Sequence, residues 1–414
     1  MQHPDRAVPA LTSTSAPGER RIERLLFAAA FVAFAWFHQG GGWNQNARFA
    51  MVRAVVEEGT FSIDSFLVYA AAQGELGPRL ARLPVRNATF TFEGKRYALW
   101  WRDQQGRYVR LNEVGGGGHP DGAGAAGELT YVDPEQVAAT GDVSFHAGQF
   151  HPAKAPGGAL VAVPAYFLLY HLELLVGVDP DGWRALTFNA WATSALSVGL
   201  LSALGCVLLY RLALRLSGGR RRESLLAALS FAFGTMFFPY ATALYEHDVI
   251  AVALLAAFYL LHQVKEAGST SGPPLAEGRA RLCLALAGLS AGYAAVANYA
   301  MAVPVLLLLG YLLLAVRRSG GWRWYGLGVL VPFLLLCAYN VACFGTPFTT
   351  NYRHEAPVFK AGGAFLGVFL WPQWEVLAAV LFSPYRGLFA TAPVLLLGVY
   401  GLSKFAWRLF GERD

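Results

Sequence analysis

Apolar runs long enough to cross a membrane recur along this chain, and they decide its class before any motif does. A single helix needs about 20 mostly apolar residues to traverse a hydrocarbon core of ~30 Å, because its backbone polar groups must be satisfied within the segment. Runs of this kind lie at roughly 24–40, 186–212, 224–244, 249–264, 282–300, 301–316, 325–344 and 387–403. Composition agrees: 55% of the 414 residues are hydrophobic and 14% are charged, with a mean hydropathy of +0.39, more than a soluble domain carries. The formal charge of +6 does not point to nucleic acid, since the basic residues gather in short loops between apolar runs, where orientation in the bilayer accounts for them. No nucleic-acid partner is expected. The cysteines Cys206, Cys283, Cys337 and Cys343 all stand inside apolar segments and read as small core residues.

The run 159–176 is also about long enough to cross, and charge decides against it. If it crossed, the cluster Arg211, Arg215, Arg220, Arg221 and Arg222 would lie outside, and every later basic loop would be inverted. If it lies along or dips into the outer face, Lys265, Arg279, Arg281, Arg317, Arg318, Arg323, Lys404 and Arg408 all fall inside. The expectation is therefore an all-α polytopic membrane protein of about eight transmembrane helices with in-plane outer-face helices and both termini cytoplasmic. Residues 1–23 form a cytoplasmic tail, 24–403 the membrane domain and 404–414 a second tail. The first apolar stretch runs into HQGGGWNQN without a small-residue cleavage site, so it reads as a retained helix.

This arrangement collects the polar residues of interest on one side. The first outer loop, 41–157, begins with NARFAMVRAVVEEG, which sets Phe49, Val52 and Val56 on one stripe and Arg48, Arg53 and Glu57 elsewhere, the pattern of an interfacial helix over 46–58. ATFTF, KRYALWW and RYVRLN are β-prone runs separated by EG and DQQG, so a small β-containing extracytoplasmic insertion is expected at about 78–139, including the glycine-rich GGGGHPDGAGAAG. The sequon at Asn87 carries no weight, since such triplets arise by chance. No internal repeat stands out, and few ionisable residues lie at mid-depth, which favours chemistry at the outer interface over coupled transport.

The order of these features resembles the GT-C superfamily of polyprenyl-phosphate-sugar glycosyltransferases, and within it the protein O-mannosyltransferase and aminoarabinose transferase branch in its bacterial members. The phrases that carry the resemblance are NQN-x-R, TGD, KAPG, FPYATALYEHD, NYRHE and SPYRGLF, and it covers roughly residues 22–403. It implies a GT-C-like fold in the bacterial cytoplasmic membrane, multi-pass, with a site facing the periplasm. The implied reaction is transfer of a hexosyl or pentosyl group from a polyprenyl-phosphate-linked donor to an acceptor left unnamed, with the donor and membrane lipid as partners.

Such a donor leaves as a phosphate, so cations fixed at the membrane surface would stabilise the developing charge. In the aminoarabinose transferases a lysine before the first in-plane helix is understood to bind the lipid phosphate, and Lys154 of KAPG occupies the matching position, between Pro152 and Pro156. Arg386 in SPYRGLF, Arg353 in NYRHE and the adjacent Tyr352 are candidates for the same anion; each cation can equally be an interfacial anchor. Transfer also needs a carboxylate to accept the acceptor's proton. The family carries an Asp-Glu pair at the start of the interfacial helix, where this chain has Gln45 and Asn46, and amides cannot act as that base. Asp142 in TGD, Asp64 in SID, and Glu246 with His247 in the outer turn are the remaining catalytic candidates, Asp248 beside them; a solvated or helix-capping carboxylate is the plainer reading of each. No spacing of His146, His151, His247, His354, Glu246, Asp248 and Glu355 reproduces a closed zinc motif, so no metal ligand is assigned, although a divalent metal is compatible with the family. Two other classes stay open: a non-catalytic GT-C-derived lipid-binding or scaffold protein, favoured by the amides at 45 and 46, and a lipid or sugar transporter.

Overall fold

The computed structural model describes residues 17–74, 77–102, 108–110, 129–268, 275–355, 371 and 373–411. Helix α1 (Pro17–Trp36) opens with proline in its first turn, where the missing N–H costs nothing. It buries Leu26, Ala30 and Phe34 against Ala203, Cys206 and Tyr210. Helix α2 (Trp43–Arg53) continues through a wider π turn, Ala54–Glu58, and stops at Gly59, whose φ of +66° suits a residue without Cβ. Arg48 and Arg53, off the apolar stripe of this helix, are each only 1% exposed. Both cations are covered because distant carboxylates meet them. Arg53 pairs with Glu57 and Asp181, and Arg82 joins the same two acids.

The next unit, the outer unit of the expected topology, is built from short strands. β1 (Tyr69–Gly74) and β2 (Gly77–Arg82) pair antiparallel, Tyr69 opposite Arg82. β3 (Thr89–Phe92) turns into β4 (Lys95–Arg102) through Glu93 and Gly94, both at positive φ, the two-residue geometry that matches strand twist. β4 also pairs antiparallel with β5 (Tyr108–Arg110) and parallel with β6 (Leu129–Val132), which precedes the single-turn α3 (Pro134–Val137). Short strands thus fall within the interval expected to be β-rich, while its glycine-rich loop lies outside the described residues. β7 (Val143–His146) and β8 (Gln149–Pro152) form a last hairpin over Ala147 and Gly148, again both at positive φ. Ile63, Phe66, Leu67, Val85, Leu99, Trp101, Val143 and Phe150 pack with Met51 and Val52 into one core, seating this unit on α2.

After KAPG come the one-turn α4 (Gly157–Leu160) and α5 (Val163–Leu175). The 13 residues of α5 span about 20 Å at 1.5 Å each, short of a ~30 Å hydrocarbon core. Its inward side chain, Tyr166, donates to Glu57 Oε1 at 2.7 Å, while Phe167, Leu168, Leu172 and Leu175 face outward. α6 (Trp183–Ser194) and α7 (Leu200–Leu216) join through a π turn into one rod. α8 (Arg221–Gly234) and α9 (Phe237–Ala241) break at Thr235, so the expected run 224–244 is two pieces. Then follow α10 (Glu246–Ala267), α11 (Glu277–Ala297), α12 (Ala302–Tyr311) and α13 (Gly321–Phe344). Among the described residues, five helices are long and apolar enough to cross a membrane: Trp183–Leu216, Glu246–Ala267, Glu277–Ala297, Tyr299–Val316 and Gly321–Phe344. α11 and α13 touch backbone to backbone, since a Cβ at Gly288 or Gly328 would run into Tyr325 or Ala285, the small-residue contact by which apolar helices associate without a hydrophobic driving force. The chain closes with α14 (Trp374–Phe382), α15 (Leu388–Thr391) and α16 (Leu395–Gly411).

Candidate functional site

Lys154 is fixed from both sides along the chain. Before it, β8 ends at Pro152, whose carbonyl accepts from Asn351 Nδ2 at 2.7 Å, and the Ala153 amide donates to the Asp142 carbonyl at 3.0 Å. After it, Pro156 begins α4, and Gly157 lies so close to α11 that a Cβ would stand 2.6 Å from the Ala297 nitrogen. Tyr293 of α11 also donates to the Gly157 carbonyl at 2.8 Å. Two prolines restrict φ on either side, and Ala153 and Ala155 are buried. The lysine backbone is a strut between the outer unit and the helix bundle.

Two carboxylates from separate segments converge on its ammonium. Nζ lies 3.1 Å from Asp142 Oδ1 and 3.2 Å from Glu355 Oε1, with the Tyr352 ring centroid at 5.3 Å; the lysine side chain is 28% exposed. Burial works against the charge on Lys154, but Asp142 and then Glu355 outweigh it and hold its pKa above the ordinary lysine value. Burial pushes the Tyr352 hydroxyl up, with Lys154 opposing.

Asp142 is aimed by the first turn of α2. Its second oxygen, Oδ2, accepts from Asn44 Nδ2 at 2.7 Å; its own amide donates to Thr140 Oγ1 at 3.0 Å, and that hydroxyl donates to the Trp43 carbonyl at 2.6 Å. Asn46 Nδ2 donates to the Ala139 carbonyl at 2.9 Å, and Gln45 Oε1 accepts from the Gly42 amide at 2.9 Å. Asn44 and Asn46 thus tie the helix start to the TGD turn, while Gln45 caps the helix itself. Opposite, Asn351 accepts from Tyr299 Oη at 2.6 Å and donates to Tyr339 Oη at 2.9 Å, and Glu355 forms a backbone bridge with Ser144. These contacts deliver Tyr352 and Glu355 to Lys154.

The other residues singled out from sequence stand at different distances from this centre. Glu246 is buried and paired with Arg48, whose Nη1 donates to the Asn44 carbonyl at 3.2 Å, so it is linked to the site through one cation and one backbone group. His247 packs its ring against Tyr240 at 4.3 Å. Asp64 is apart: its Oδ1 accepts the Phe150 amide at 2.8 Å, fastening β8 to the segment after α2, and burial pushes its carboxyl up to about 6. Arg353 is exposed on the turn Asn351–His354. Arg386 is exposed and lies over the neighbouring Tyr385 ring at 4.9 Å. Neither contact carries those arginines to Lys154. Among the described residues no group of three or more His, Cys, Asp and Glu side chains comes together to hold a metal ion.

Asn44 is not singled out by the sequence, and Arg48 and Glu355 stand out there only in the α2 pattern and among the acids weighed for metal. Asn44 adjoins the two amides weighed against the family's acids, and Glu355 ends the NYRHE phrase read for its arginine. No protein-family model matches the chain, and comparison with curated proteins and with solved structures returns no match.

Proposed function

We propose that this chain is an integral membrane glycosyltransferase of the GT-C type, with about eight crossings, which takes a sugar from a polyprenyl-phosphate donor at the outer face of a bacterial cytoplasmic membrane. The observation that carries the reading is the meeting of Lys154 and Asp142, Nζ to Oδ1 3.1 Å, just before the short helix α4. The ammonium is a fixed counter-charge for a phosphate, and the carboxylate beside it is a proton acceptor. In the proposed reaction the acceptor oxygen bonds to the anomeric carbon and the bond from that carbon to the phosphate oxygen breaks, its electron pair leaving with the phosphate. The acceptor's proton passes to Asp142. Asn44 holds Oδ2 and Lys154 holds Oδ1, so the carboxylate is oriented before substrates arrive.

The competing reading is a lipid-binding protein without catalysis. It is favoured by the structural use of the NQN asparagines, which knit α2 to the TGD turn. Asp142→Asn separates the two, because it keeps the shape and removes the proton acceptor. With a polyprenyl-phosphate sugar and acceptor that the wild type turns over, the variant is expected to lose about 10² or more in transfer rate while still binding donor. Transfer near the wild-type rate would return Asp142 to a structural role, and a wild type that transfers no sugar would favour the lipid-binding reading.

A further inference from the structure

Between α12 and α13 runs an apolar groove of about 580 Å³, within the ~300–1,000 Å³ common for small-molecule sites. Val305, Leu306 and Leu309 line one wall, and Trp322, Gly326 and Phe333 line the other. Tyr325 is buried at its base, and its hydroxyl is already used, donating to the Val305 carbonyl at 2.9 Å. Gly326 adds depth, because a Cβ there would meet no atom within 4 Å. Both walls belong to helices long and apolar enough to cross a membrane, so a bilayer offers this groove hydrocarbon. From Trp322 to Phe333 it extends about 16 Å at 1.5 Å per residue, close to half of a ~30 Å hydrocarbon core. That is the depth of one leaflet.

One end of the groove is basic. Arg317 and Arg323, both exposed, flank the short connection between the two helices. The Arg323 guanidinium carbon stands 5.5 Å from the centroid of the Trp322 ring, which lines the groove. Arg281 and Arg318 are on the same end, both paired with Glu277. Cations at the end of an apolar slot between crossing helices match an anionic headgroup whose chain lies in the slot. This end is remote from Lys154. Glu277 begins α11, whereas Ala297, which abuts Gly157, ends it, about 30 Å farther along the helix.

We propose that the groove holds one acyl chain of an anionic glycerophospholipid whose phosphate lies at Arg317 and Arg323. The occupant is a resident lipid of the leaflet at the basic end, distinct from a donor that arrives beside Lys154. Its chain fills the space between α12 and α13, and its headgroup charge gives the site its selectivity.

The full chain, delipidated in detergent, is titrated with dioleoyl phosphatidylglycerol and separately with dioleoyl phosphatidylcholine, and the tightest bound lipid is followed by native mass spectrometry. Wild type is expected to bind the anionic lipid about tenfold more tightly than the zwitterionic one, the scale of one to two surface cations. Arg317→Gln combined with Arg323→Gln is expected to bring that ratio to about one. Gly326→Leu, which fills the groove from a position with room for a side chain, is expected to weaken both lipids about tenfold. Leu330→Trp, on the same wall, makes the same test should Gly326→Leu fail to fold. Equal affinity of wild type for the two lipids, an unchanged ratio in the double glutamine variant, or unchanged affinity in the groove-filling variant would overturn the proposal. So would a polyprenyl monophosphate that displaces phosphatidylglycerol from wild type at equal concentration, since the groove would then belong to the donor's tail.

Discussion

At the scale of single residues, the site and its neighbourhood use carboxylates in two ways that spacing along the chain does not separate. Asp142 is shared between an ammonium and an amide, whereas Asp64 accepts a backbone amide in a buried position and is pushed up to about 6, burial being the main cause. A folded-state pKa above the ordinary 3.8 means that the folded protein holds this proton more tightly than the unfolded chain. Its contribution is therefore fully present below about pH 4 and is lost as pH rises through about 6. Asp64→Asn, which can still accept the Phe150 amide, should remove that loss. The variant is expected to gain on the order of 1–2 kcal/mol over wild type at pH 7.5 and little at pH 4, read from denaturation midpoints in detergent at the two pH values. A gain at both pH values, or at neither, would remove Asp64 from this role. Sequence reasoning set Asp142 ahead of Asp64 as a candidate base because Asp142 lies twelve residues before Lys154, without telling what surrounds either acid. Their difference comes from which strands and helix ends surround them, and tertiary packing fixes that.

At the scale of elements, the joint between α2 and the outer unit was the least legible part. The apolar stripe of NARFAMVRAVVEEG correctly announced a helix, and an amphipathic helix at a membrane ordinarily turns its cations to water. Here Arg53 and Arg82 flank Phe66, their guanidinium carbons 4.8 and 4.4 Å from its ring centroid, and both reach Asp181 from beyond α5. Glu57 closes the cluster and also accepts from Tyr166 of α5. Four elements are thus fastened by charges taken out of water, and the partners come from positions 57, 82, 166 and 181, a set no local pattern could have connected. Removing one member strands the rest. Arg53→Ala is expected to destabilise the outer unit by about 3–5 kcal/mol, the scale for breaking a buried pair by deleting one partner, measured as a fall in unfolding midpoint. A change below about 1 kcal/mol, the range of an exposed pair, would show that the cluster is wet and weak.

At the scale of the whole molecule, hydropathy was the most reliable guide, because a bilayer imposes one length on every crossing. The runs 186–212, 249–264, 282–300, 301–316 and 325–344 each fall on one of the five long apolar helices. The runs 24–40, 224–244 and 387–403 are less regular: α1 begins with charged residues, α8 and α9 break at Thr235, and α15 and α16 are separated near Pro393. Charge between the runs orients the proposed topology, and it can be tested directly. In a cysteine-free background, a cysteine at Gly117 should react with an impermeant thiol reagent in intact cells, and one at Ser269 should react only after the membrane is opened. Equal labelling, or the reverse, would overturn the orientation. The backbone of the candidate site has little freedom: Gly157 abuts α11, and Asn351 is held by Pro152, Tyr299 and Tyr339. Rearrangement of charge beside Lys154 among the described residues therefore falls to rotation about side-chain bonds rather than to backbone movement. Under the proposed function, the pace of donor capture would then be set by the lateral diffusion of a long lipid in the plane of the membrane rather than by movement of the described backbone.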